Sequence, residues 1–170
     1  MSMTHYMQLL AANQPWNLIV FMAIPIVLAE TLAISELYLL FTRRREGGVR
    51  AINRFAGLGA GLAFLAIIPY LTLTAVIPLT RGDEWRGWID VVAVAAYLLA
   101  GLPLVWVGAL ELRMVMRERS TLEKLKAHAV AIALFLVLAH VAMVFGMLDP
   151  TLGGRAAAGM PLENMQGMRH

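Results

Sequence analysis

Cysteine is absent from the chain, which removes disulfides, thiolate metal sites and thiol catalysis at once. Charge is scarce as well. Only 15% of the 170 residues are Asp, Glu, Lys or Arg, against 60% hydrophobic, where a soluble domain of this size carries about 25% and about 45–50%. Catalytic signatures are missing too: the sequence has no G-x-S-x-G, no phosphate-binding G-x-x-x-x-G-K, no H-E-x-x-H, and no G-x-G-x-x-G opening a helix after a strand. An enzymatic role is therefore not expected. The glycines at Gly57, Gly59 and Gly61 open a long apolar run rather than a phosphate loop.

What is present is apolar residues in four blocks, at about 16–42, 55–79, 88–112 and 127–148, with nearly all charge between them. Each exceeds the roughly 18 apolar residues that mark a bilayer-spanning helix, and at about 1.5 Å per residue each crosses a core about 30 Å thick. The expected fold is all-α: a polytopic membrane protein built as a four-helix transmembrane bundle over residues 1–150, followed by a polar tail at 151–170. The first block has no basic start and outruns the apolar core of a leader, so no cleaved signal peptide is expected.

The net charge of +3 and pI of about 9.7 do not indicate nucleic acid, because the basic residues flank the apolar blocks. They report orientation instead. Arg43, Arg44, Arg45, Arg50 and Arg54 lie in the first loop; Arg113, Arg117, Arg119, Lys124 and Lys126 lie in the third; the second offers only Arg81 and Arg86. Ten against two places the first and third loops in the cytoplasm and both termini outside, in an inner (plasma) membrane. Trp16, Trp85 and Trp88 then fall at the outer interface, where indole rings favour the headgroup level. The lipid bilayer is the first partner, and a homo-oligomer or a membrane-complex partner is the second expectation.

Pro25, Pro69 and Pro103 lie inside the first three spans, where each removes an amide donor and calls for repair by a neighbouring helix. Gly57 and Gly61 form a G-x-x-x-G pair that permits close helix approach. Ionisable groups inside a span normally face the bundle. Glu30 is the most central and is expected to face inward with His140; Glu36 and Glu111 lie near the cytoplasmic side, within reach of loop arginines, and His128 lies almost at that interface. At helical spacing, Asp90, Tyr97, Leu104, Gly108 and Glu111 form one inward stripe on the third span. Ala129, Ala133, Leu136, His140, Met143 and Met147 form the one expected on the fourth. Glu30, Glu111, His140 and Tyr97 together make an expected intramembrane polar site.

Two cofactor readings follow from sulfur and imidazole. Haem b suits an apolar four-helix bundle, with His140 as a ligand and Met22, Met143 or Met147 as its companion. His128 and His140 share one helix, about 18 Å apart, and cannot clamp one haem within a monomer. Copper suits the tails, where Met1, Met3, His5 and Met7 face Met160, Met165, Met168 and His170 on one side of the membrane; thioether and imidazole without thiolate favour Cu(I). The expected ligands are His5, Met160, Met165, Met168 and His170. The sequence thus supports three roles: a metal- or redox-cofactor accessory at the outer face, a small proton-coupled transporter acting as an oligomer through Glu30, and a structural subunit of a membrane complex.

Overall fold

The computed structural model describes residues 3–42, 47–112, 114–115 and 120–153. Among them there is no strand, and four helices are long and apolar enough to cross a membrane. A short helix, α1 (His5–Ala11), precedes the spans. The spans are α2 (Trp16–Thr42), α3 (Gly48–Arg81), α4 (Trp88–Glu111) and α5 (Thr121–Met147). The four-helix transmembrane bundle expected from the sequence is what the chain forms. Helix α3 begins seven residues before its apolar block, because hydropathy marks where lipid begins and the helix continues past it through Arg50 and Arg54.

Helix α4 is the centre of the bundle. In its most apolar stretch 56% of residues are buried, against 22–28% in the other spans. It packs most extensively on α5 and then on α3; α2 packs on α3, and the contact between α2 and α5 is the thinnest of the four. The expected stripe on α4 is the one that turns inward: Asp90, Tyr97, Leu104, Gly108 and Glu111 are all buried. The α3–α4 seam explains the paired glycines. A Cβ on Gly61 would stand 2.7 Å from the Gly108 Cα, and one on Gly57 would stand 3.2 Å from Val107 Cγ1. Backbone meets backbone there, as small residues allow in lipid.

The stripe expected on α5 is wrong by one residue. His128, Ile132, Phe135, Ala142 and Gly146 are buried, while Ala133, His140, Met143 and Met147 are exposed. One residue is about 100° of helix. Lipid is as apolar as the bundle interior, so the two faces of α5 differ little in polarity, and the informative positions are Ala131, Ala142 and Gly146, which let neighbours close in. A Cβ on Gly146 would meet the Tyr6 ring at 2.6 Å.

Helices α2 and α3 each contain one π turn, and in both it precedes an Ile-Pro pair at the same offset. The Ile24 amide donates five residues back to the Ile19 carbonyl, and the Ile77 amide to Thr72; Pro25 and Pro78 follow. Widening the turn carries the backbone past a residue with no N–H. At Pro25 the repair also comes from a neighbour: the Tyr97 hydroxyl on α4 donates to the carbonyl of Phe21, four residues before the proline, at 2.5 Å. Tyr97→Phe should cost about 1 kcal/mol in the native background and clearly less with Pro25→Ala, where a new amide serves the same carbonyl. Equal costs in both backgrounds, measured by reversible unfolding in bicelles, would separate the tyrosine from the proline.

Candidate functional site

At one end of the bundle α1 packs against α4 and α5. Thr4 starts α1: its Oγ1 accepts from the Met7 amide at 3.3 Å and donates to the Gly146 carbonyl of α5 at 2.6 Å. Asp90, fully buried in the first turn of α4, accepts from the His5 amide at 2.7 Å, and its other oxygen lies 2.5 Å from His5 Nδ1. Arg86 closes the corner by donating to the Met3 carbonyl. Burial among these groups pushes the Tyr6 phenol up to about 12. His5, expected as a copper ligand, thus spends its Nδ1 on Asp90. Its companions Met160, Met165, Met168 and His170 lie outside the described residues. Among the described residues, no group of three or more His, Asp or Glu side chains is arranged to hold a metal ion.

The opposite end holds a buried polar cluster to which all four spans contribute. Ser35 and Glu36 come from α2, Arg50 and Asn53 from α3, Glu111 from the last turn of α4 and His128 from α5. Asn53 is its hub and is fully buried. Its Nδ2 donates to Glu36 Oε2 at 2.8 Å and to Ser35 Oγ at 2.9 Å, and its Oδ1 accepts from Arg50 Nη1 at 3.0 Å. Arg50 Nη2 donates to Glu111 Oε1 at 3.1 Å. Arg54 is 57% exposed and only 4.0 Å from the other Glu111 oxygen.

His128 stands between the two carboxylates. Its Nδ1 is 3.6 Å from Glu36 Oε2 and its Nε2 is 3.6 Å from Glu111 Oε1. Both separations exceed a hydrogen bond, whose usual length is about 2.7–3.2 Å. Two buried atoms of this bridge, Glu36 Oε1 and His128 Nδ1, have no hydrogen-bond partner. The cluster thus gathers two buried carboxylates and an imidazole, with the Arg50 and Arg54 guanidinium groups both directed at Glu111, and buried charge is costly when unpaired.

Of the intramembrane site expected from sequence, Glu111 and Tyr97 are buried, but in different clusters at different depths. Glu30 and His140 do not face inward. Glu30 is exposed on α2, and His140 is exposed on α5, with its Nδ1 2.6 Å from the Leu136 carbonyl of its own helix. Tyr97 does not join them, since its hydroxyl donates to the Phe21 carbonyl. Of the haem companions, Met22 packs against the core, and Met143 and Met147 are exposed beside His140. Glu36 lies beside Asn53 and His128 rather than against a loop arginine, whereas Glu111 does meet one, Arg50. The hub itself is Asn53, which sequence reasoning left out; its signal is a neutral amide one turn inside a run of arginines, where solvated helix ends usually carry charge.

The chain belongs to the family described as "Family of unknown function (DUF6803)", which matches residues 1–161. No curated protein and no solved structure matches it.

Proposed function

We propose that this member of the DUF6803 family is a proton-coupled transport protein of the inner (plasma) membrane, with both termini outside and the Glu36–His128–Glu111 bridge near the cytoplasmic face. The observation that carries the reading is the bridge itself: an imidazole held 3.6 Å from each of two buried carboxylates, with an unpartnered atom on His128 and another on Glu36. The ten-to-two distribution of basic loop residues supports its cytoplasmic placement. An added proton turns His128 into a donor toward both carboxylates, and closing each gap to hydrogen-bond length shortens it by roughly 0.4–0.9 Å. That draws α5 toward α2 and α4. Because the α2–α5 contact is the thinnest lateral one, this pair of helices has the most freedom to respond. Proton binding becomes helix movement, which is the coupling that a proton-driven transporter needs.

Infrared difference spectra of the purified chain in lipid vesicles, recorded on acidification, test this. The carboxylate bands of Glu36 and Glu111 should shift as His128 becomes imidazolium, and His128→Gln should remove that shift. Glu36→Gln should remove its own part of the shift, and Glu30→Gln should leave it in place. A shift that survives His128→Gln, or that is unchanged in Glu36→Gln and Glu111→Gln, would overturn the proposal.

A further inference from the structure

The α2 helix leaves one face uncovered in the single chain. Val27, Glu30, Ile34, Leu37 and Phe41 follow one another at intervals of three and four, the repeat of a left-handed helix–helix seam. All five point away from the core. Exposure is 59% at Val27, 71% at Ile34, 56% at Leu37 and 80% at Phe41, and Glu30 is exposed among them. Apolar side chains facing lipid are ordinary. A carboxyl is not: Glu30 lies twelve residues from Thr42, about 18 Å along the helix and so near the middle of a core about 30 Å thick. It makes no hydrogen bond or ion pair among the described residues. Ionisable groups at that depth normally face protein or water.

We infer that the α2 face is a dimer interface and that its occupant is the same face of a second copy. A carboxylic acid carries both a donor and an acceptor, so two Glu30 side chains satisfy each other. A two-fold axis along the membrane normal sets each residue opposite its own copy at one depth, a match that holds for Glu30 with Glu30 by symmetry. His140, the other exposed intramembrane ionisable group of the described bundle, fits less well. It lies twelve residues beyond His128, whereas Glu30 lies six beyond Glu36, which His128 contacts; the depths therefore differ by about 9 Å. In the seam Glu30 occupies the place of a buried polar residue that fixes register between otherwise apolar helices. This inference does not rest on the proton bridge, which lies on another face of α2.

Because the chain has no cysteine, single-cysteine variants report the contact directly. Full-length Ile34→Cys in lipid vesicles, under mild oxidation, should yield a disulfide-linked dimer several-fold above Val137→Cys, which is exposed on α5 instead. Leu37→Cys serves as a second seam position. Glu30→Leu added to Ile34→Cys should lower the yield several-fold, whereas Glu30→Gln, which keeps a donor and an acceptor, should retain it. Equal yields at Ile34 and Val137, a yield unaffected by Glu30→Leu, or only monomers by native mass spectrometry from lipid nanodiscs would overturn the inference. Both Glu30 variants should leave the acid-induced shift of the Glu36 carboxylate band intact, so failure here is distinct from failure of the proton site.

Discussion

Leucine in place of Gly61 should abolish the native bundle, and alanine there should destabilise it by roughly 1–3 kcal/mol, the usual range for overpacking. The atom that a new Cβ meets is the Gly108 Cα at 2.7 Å, with the Leu104 carbonyl oxygen at 3.2 Å. Neither is a side-chain tip that can swing away, so relief requires moving α3 off α4, the most enclosed helix of the fold. Gly59 is the control, two residues away on the same helix. A Cβ there meets only the Leu28 side chain at 3.5 Å, an ordinary contact, so Gly59→Ala should be neutral or gain up to about 1 kcal/mol from helix propensity. The expected order of stability, by denaturant-driven unfolding in bicelles, is Gly59→Ala, native, Gly61→Ala, Gly61→Leu. A folded Gly61→Leu of near-native stability would show that α3 and α4 do not meet at this seam.

The paired glycines of α3 and the inward stripe of α4 were each legible in the sequence, though not that they meet, and the contrast with α5 shows why the stripe was. Helix α4 carries Asp90 and Tyr97 toward one end and Gly108 and Glu111 toward the other, and polar groups and glycines at both ends of one stripe agree on a phase. Helix α5 offers no such agreement. Its one central ionisable residue, His140, lies about 120–180° around the helix from Ala131, Ala142 and Gly146, which are buried. The principle that intramembrane ionisable groups face protein did not place Glu30; Glu30 and Glu36 lie about 120° apart around α2, and only Glu36 is buried. Depth favoured Glu30, whereas the available partners decided for Glu36. Those partners, Asn53 and His128, sit on helices distant in sequence, and no spacing within α2 announces them.

Replacing Asn53 with leucine should cost about 1.5–3 kcal/mol, the range for a hydrogen bond to a charged group. The substitution deletes the donor to Glu36 Oε2 at 2.8 Å and the acceptor that helps hold Arg50. Glu36 already has one oxygen without a partner, so the variant leaves its carboxylate facing only an imidazole 3.6 Å away. A neutral hydrogen bond between membrane helices averages only about 0.6 kcal/mol, so the larger value is the mark of a charge being held. The double variant Glu36→Leu/Asn53→Leu decides between these sizes. Replacing both partners by apolar groups of similar shape is close to neutral in many buried pairs, so the double variant should be more stable than Asn53→Leu alone, with a coupling larger than about 1.5 kcal/mol. Simple additivity would mean that Asn53 packs without holding the carboxylate. The same variant separates fold from function: if stability returns while acid-induced proton uptake into vesicles stays absent, the cluster is retained for its proton, whereas uptake that survives with both residues apolar would make it a packing device.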